Sequence, residues 1–266
     1  MDQWTTKRIL ILGTTYPSYS KKYVENACTG GLEEGTGNMV RIHPVPLRYL
    51  ETEHKFKNFQ WITARTMKHP SDPRPESLRI EPNSIELGDV IPSTRAEERR
   101  KLIESSPHLF QSVEALKDRW EANGTSLGTI RPKKINDIRI VMKSDAERAE
   151  WSAKEKDLFS QQSFEFERPP KPIDFPEAKF CVAWTCNDSR CKGHEMGIMQ
   201  WGLHELYRKY RDKAEAKEKV IAEMYNQLDL AKRDVFFFLG NFRGTMWNFG
   251  LMDSFSPGKQ RQMSLF

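Results

Sequence analysis

The chain has 266 residues, 38% hydrophobic and 30% charged, enough for one large domain or two small ones with a true core and a well-solvated surface. Its net charge of +5 and pI of about 8.9 permit contact with nucleic acid without requiring it. No run approaches the roughly eighteen apolar residues of a membrane span. Residues Met1 to Arg8 lack the features of a secretory signal, so the expected compartment is the cytoplasm.

In chain order, Lys7 to Gly13 is a short apolar strand that runs into the polar turn Gly13-Thr14-Thr15-Tyr16-Pro17-Ser18. The pattern predicts a brief helix over Tyr23 to Gly31, stopped by Gly30-Gly31. Asn38 to His43 alternates as a strand that the Pro44/Pro46 pair ends, and Phe59 to Arg65 alternates again. Met67 to Asp89, rich in Pro, Ser and charge, is expected as an extended surface loop. Arg95 to Trp120 is helical in two pieces broken near Ser105-Ser106-Pro107, with Asn123-Gly124 ending the second. Ile135 to Met142 is a strand, Ala146 to Ser160 a polar helix, and Arg168 to Pro172 a stiff connector. After a strand over Phe180 to Thr185, Met196 to Lys232 is the longest helical stretch, with an apolar stripe at Trp201, Leu203, Leu206, Tyr207 and Tyr210. Asp234 to Leu239 and Met246 to Phe255, around Asn241-Phe242-Arg243-Gly244, form a closing hairpin. This order implies an α+β fold, a mixed sheet with flanking helices. The expected parts are residues 1–168, residues 169–256 packed on them, and a tail over 257–266.

Four cysteines in a cytosolic chain point away from structural disulfides, and three of them fall within eleven residues. Cys186-x4-Cys191-x2-His194 has metal-ligand spacing: a turn brings the two thiolates together, and His194 follows on the first turn of the next helix. Zinc requires a fourth ligand, for which Cys28 is the candidate and Cys181 the nearer alternative, while His204 on the same helix points elsewhere. A fully ligated zinc would be structural. An iron–sulfur cluster on all four cysteines is the other option, and buried, unligated thiols the plain one.

The turn after the first strand is where chemistry is expected, because strand ends commonly line a crevice. Tyr16 can stack on a base, and Glu25 can position or deprotonate a water. Asp72, in the proline-stiffened Ser71-Asp72-Pro73-Arg74-Pro75-Glu76-Ser77, is a second candidate carboxylate. Lys21, Lys22, Arg41, His43 and Arg48 make a basic patch suited to phosphate, and Asn241 at a strand end can reach a base edge or cap a turn. A basic run on the long helix, Arg208 to Lys213, is expected to be its solvated face.

Two resemblances add to this reading. Gln262-Met263-Ser264-Leu265-Phe266 resembles the short peptide by which bacterial repair and replication proteins dock onto the sliding clamp. Gln262, Met263, Leu265 and Phe266 would be the clamp-binding residues; an apolar tip after the polar stretch Ser256 to Arg261 suits a receiving partner. Arg8 to Pro17 resembles the strand and water-activating loop of uracil-DNA glycosylases, and His43-Pro44-Val45-Pro46-Leu47 their DNA-gripping segment. The first departs from that family in carrying Thr14-Thr15 where an acidic residue or asparagine is usual, and the two segments lie closer together than in that family. The whole chain also resembles a group of prokaryotic proteins with a Tyr-Pro turn near the start and this Cys/His cluster near the end.

Together these features lead to the expectation of a clamp-recruited enzyme acting on DNA, a glycosylase excising a modified base in repair or antiviral defence. Tyr16 would stack the base, Glu25 or Asp72 would act at the sugar, and Arg41 and His43 would hold phosphate. The alternatives are a metal-dependent nuclease, disfavoured by the lack of a compact carboxylate set, and a non-enzymatic zinc-stabilised nucleic-acid-binding or adaptor module.

Overall fold

The computed structural model describes residues 3–20, 24–161, 171–211, 213 and 215–259. The apolar run Ile9-Leu10-Ile11-Leu12 lies in strand β1 (Thr5–Thr14), whose two faces are both buried. Alternation sends Ile9 and Ile11 into one cluster and Leu10 and Leu12 into another. A short hairpin follows, β2 (Ser18–Ser20) and β3 (Val24–Asn26), then β4 (Thr29–Glu33) and β5 (Met39–Ile42). Next come β6 (Gln60–Lys68), β7 (Ser77–Ile80) and β8 (Glu86–Val90). The order is β1-β4-β5-β7-β6-β8, and β1 also pairs with β6, from Thr5↔Thr66 to Leu10↔Trp61. Five strands therefore close into a ring, which leaves no open edge among them. Ile9, Ile11, Val40, Ile42, Ile62, Ala64 and Ile80 fill one cluster of the ring.

The second sheet is built from β9 (Leu109–Phe110), β10 (Leu127–Ile130), β11 (Lys134–Met142), β12 (Ala178–Thr185), β13 (His194–Ile198), β14 (Phe236–Phe242) and β15 (Thr245–Phe255). Its order is β11-β12-β13-β15-β14-β10-β9, with parallel pairs β9–β10 and β13–β15. Helix α1 (Ala96–Glu104) links the sheets; α2 (Val113–Asn123), α3 (Asp145–Gln161), α4 (Trp201–Tyr210) and α5 (Ala216–Gln227) follow. Leu116, Leu203, Tyr207, Val220 and Met224 from three of these helices pack with Phe180, Trp184, Phe237 and Leu239 of the sheet. A separate cluster joins the two sheets, setting Leu10, Leu12, Leu32 and Met39 against Leu127, Phe236, Phe238 and Met252. The fold is α+β with mixed sheets, as the element order implied.

Several expected elements took a different form. Tyr23 to Gly31 contains strands rather than a helix: Gly31 sits where a Cβ would come 2.7 Å from the Leu10 carbonyl oxygen, so β4 lies tight on β1. The expected loop over 67–89 holds β7 and β8, and its Asp72, Arg74 and Glu76 are buried. The long helix expected over 196–232 is instead β13, then α4 ending at Tyr210 and α5 starting at Ala216. Met199 donates its backbone N–H to Leu251 at 2.9 Å, which holds the start of that stretch against the sheet. Two helix boundaries followed the sequence: α1 ends before Ser105, and Gly124 at φ 80° closes α2. The connector expected at Arg168 to Pro172 lies largely outside the described residues. No described helix is long and apolar enough to cross a membrane.

Candidate functional site

The Cys/His cluster is assembled by four elements. Cys186 follows β12, Cys191 lies in the loop after it, His194 opens β13, and Glu114 sits in the first turn of α2. Their ligand atoms all lie within 4.8 Å of one another. Cys186 Sγ is 3.0 Å from Glu114 Oε2 and 3.2 Å from His194 Nε2, which is 3.3 Å from Cys191 Sγ. Surrounding bonds fix this geometry. Ser112 caps α2 by accepting from the Ala115 N–H at 2.9 Å and donates to Asp188 Oδ2 at 2.7 Å. Asp188 accepts from the Arg190 N–H at 2.9 Å, and Arg190 reaches back to both Asp118 oxygens at 3.1 and 2.9 Å. The loop is thus tied to α2 at both sides of Glu114. Burial, followed by the contact with Glu114, pushes the Cys186 thiol well above the ordinary thiol value, and burial lowers the His194 imidazole. Two sulfurs, an imidazole nitrogen and a carboxylate oxygen converging at this spacing could hold a metal ion.

Three expectations about this centre are corrected. The fourth member is Glu114; Cys28 lies in a cavity elsewhere. His194 is on a strand, paired with Trp184, whose ring lies 4.8 Å from its own. An iron–sulfur cluster on four cysteines does not assemble, because only Cys186 and Cys191 belong to the group. Cys181 is five positions before Cys186, an odd offset that points it to the other face of β12.

The second constellation is a cavity of about 580 Å³ where the two sheets meet. At one wall the turn after β1 is pinned across the seam. Thr15 donates its N–H to the Cys28 carbonyl at 3.0 Å, and Tyr16 donates its N–H to the Met199 carbonyl at 2.8 Å. The Tyr16 hydroxyl donates to the Asp174 carbonyl at 3.0 Å, and its ring lies 4.7 Å from that of His204. Trp151 of α3, Lys143 after β11, and Phe242 and Arg243 of the β14–β15 hairpin complete the walls. At the floor, β5 brings Arg41 beside β7 through the Arg41↔Ser77 register. Arg74 is buried there too, held by Asp72 through contacts of 2.9 and 2.6 Å and donating to the Asn241 carbonyl at 2.8 Å. Gly240 lies close beneath them: a Cβ there would come 2.7 Å from Met252 Sδ and 3.1 Å from Arg41 Nη2.

The charge pattern inside is one-sided. Arg41, Arg74, Lys143 and Arg243 line the cavity, and among the described residues no Asp or Glu lines it. Burial opposes ionisation of Asp72, but the hydrogen bonds from Arg74 outweigh it, and the carboxyl lies well below its usual range. Burial, and then His69 nearby, lowers the His43 imidazole to about 4, so it is neutral near pH 7. Burial, and then Lys143, does the same to His204, also to about 4. Burial, with Glu205 and Asp174 nearby, raises the Tyr16 phenol to about 12.

Of the residues singled out in the sequence, Tyr16, Arg41, His43 and Asn241 converge on this cavity, with Asp72 one residue behind its wall. Glu25 does not line it: its buried carboxylate is engaged by the Arg48 side chain and, at 3.4 Å, by the Arg48 N–H. Arg48 in turn donates to the Pro172 and Lys171 carbonyls at 2.6 and 2.7 Å, a structural rather than a phosphate-facing position. Asn241 is turned onto its own hairpin, donating to the Met246 carbonyl at 2.8 Å. Lys21 and the clamp-like Gln262, Met263, Leu265 and Phe266 lie outside the described residues. Sequence reasoning missed Glu114, Lys143, Trp151, Phe242 and Arg243. No local pattern marks them, since helices, strand ends and a hairpin distant in sequence bring them in.

Residues 5–105 match the model of a domain of unknown function, DUF8758, and residues 109–266 match that of a second, DUF8757. The first match spans the strand ring with α1, and the second spans the seven-stranded sheet. No curated protein matches the chain.

Proposed function

The chain belongs to the DUF8757 family, and we propose that it is a metal-stabilised, DNA-binding protein that receives an unpaired nucleotide in the cavity between its two sheets. The observation that carries this reading is the cavity itself. Its volume of about 580 Å³ suits a nucleotide-sized ligand, within the ~300–1,000 Å³ usual for such pockets. Tyr16, Trp151 and Phe242 offer ring faces on which a base stacks, and the lining arginines and lysine offer partners for phosphate. An unpaired nucleotide presents both at once, whereas a duplex hides the base.

Binding goes ahead of base excision because neither carboxylate expected to act at the sugar faces the cavity. Glu25 is held by Arg48 and Asp72 by Arg74, and among the described residues none that lines the cavity is acidic. The same absence argues against a carboxylate–magnesium nuclease. In the Cys/His centre, a two-thiolate, imidazole and carboxylate set suits zinc, and four protein ligands make the site closed and structural. The clamp-like peptide would recruit the protein to DNA.

Fluorescence anisotropy with labelled single-stranded and duplex oligonucleotides tests the reading. It expects tighter binding to the single strand, weakening with salt, and at least tenfold loss in a Lys143→Glu, Arg243→Glu double variant. Equal binding by that variant, or no binding to any oligonucleotide, overturns it. Incubation with modified DNA should release no free base; release would restore excision.

A further inference from the structure

The two buried arginines at the cavity floor are not equivalent. Arg74 is neutralised by Asp72 through a two-oxygen contact. Arg41, only 1% exposed, donates to neutral groups: Ser126 Oγ at 2.8 Å, Ser77 Oγ at 3.3 Å and the Ser126 carbonyl at 3.1 Å. The nearest carboxylate in this network, Glu76, is one hydroxyl further away, accepting from Ser126 Oγ at 2.6 Å. A guanidinium taken out of water is costly unless an anion meets it, and the direct partners here supply none. On the wall above, Lys143 forms no ion pair among the described residues.

The shape decides which anion. The floor residues Arg41, Gly240, Asn241 and Met252 are all buried, while Phe242 and Arg243 at the mouth are exposed. A pocket closed at its base accepts an end rather than a strand passing through. A phosphodiester within a strand carries one charge and two ester links that must leave the pocket. A terminal phosphomonoester has one such link and carries about −1.5 to −2 near neutral pH. Phe242 adds a platform at the rim. Its ring is 44% exposed yet lies over Gly250, where a Cβ would come 2.6 Å from Phe242 Cζ. Position is thereby fixed while a face stays open to a base.

Resting on the nucleotide-binding reading above, we infer that the cavity recognises the phosphomonoester end of a nucleotide chain, with Arg41 anchoring the terminal phosphate and Phe242 stacking a base at the mouth. A free mononucleotide shares this chemistry, so the test separates the two sources.

Anisotropy competition with one single-stranded sequence bearing a 5′-phosphate, a 3′-phosphate or neither is the primary experiment, and it needs no variant. One phosphorylated form should bind at least tenfold more tightly than the unphosphorylated strand. Arg41→Gln should reduce that gain to less than twofold. If Arg41→Gln does not fold, as judged by circular dichroism, Lys143→Gln should still shrink the gain. A nucleoside monophosphate competing as well as the strand end supports the phosphate anchor and assigns it to free nucleotides. Equal affinity with and without the terminal phosphate refutes end recognition. If that equal binding is still lost in the Lys143→Glu, Arg243→Glu variant, the broader nucleotide reading stands while this one falls. No binding by any strand or mononucleotide sinks both.

Discussion

Chelation of the metal proposed for the Cys/His centre offers the sharpest stability test. The centre ties α2 to β12 and β13: Glu114 comes from the helix, and Cys186 sits in the core cluster beside Trp184, against which the His194 ring packs. A ligand that binds only the folded state stabilises it by about 2.7 kcal/mol at a free concentration 100 times its Kd. For a chain of this size each kcal/mol moves Tm by about 2–4 °C, so chelation should lower Tm by about 5–11 °C. Zinc should restore it. Cys191→Ser and Glu114→Gln should melt lower and lose most of the zinc response. Cys181→Ser, outside the group, should retain it in full. Differential scanning fluorimetry with and without chelator reads the shift, and elemental analysis should find one zinc per chain. An unchanged Tm in chelator, together with substoichiometric metal in the purified protein, would refute the reasoning.

Two buried carboxylates give stability effects of opposite sign with pH. Burial raises Asp253 to about 7, while the Ser254 N–H and Asn58 resist that rise. Its folded value lies above its unfolded value near 4, so the contribution of this group is most favourable below pH 4 and falls as pH rises to 7, by up to about 4 kcal/mol. Asp253→Asn should remove this fall, making the variant-minus-wild-type difference in urea unfolding more favourable at pH 8 than at pH 5; a constant difference would contradict it. Asp72 is the reverse case, its folded value depressed by Arg74, so its contribution is present above about pH 4 and lost as pH falls further. Asp72→Ala leaves the Arg74 charge buried without its carboxylate and should cost about 3–5 kcal/mol at pH 7 in the same assay. A loss below 1 kcal/mol would mean that Arg74 finds another partner.

Local signals carried much of the fold in the sequence. The apolar run of β1, the alternation of β5, β6 and β11, the break at Ser105 to Pro107 and the Gly124 stop each express a short-range rule. What failed was long-range. Asp72, Arg74 and Glu76 look solvated in a proline-rich stretch, yet Asp72 is buried against Arg74, Arg74 reaches Asn241 across 167 positions, and Glu76 accepts from Ser126. Three metal-group members were legible from spacing. Glu114 was not, because one acidic residue at a helix start has ordinary reasons to be there. A cavity does lie at the turn after β1, and Tyr16, Arg41, His43 and Asn241 line it. Glu25 shows why proximity in sequence is insufficient: it lies on β3, but its carboxylate turns to Arg48.

Photo-crosslinking of a halogenated single-stranded oligonucleotide to the intact protein, followed by peptide mass spectrometry, tests the central claim most directly. The account predicts adducts at Tyr16, Trp151 or Phe242, suppressed when Lys143 and Arg243 are both changed to Glu. Adducts confined to surfaces away from the seam between the two sheets, and indifferent to those substitutions, would contradict it.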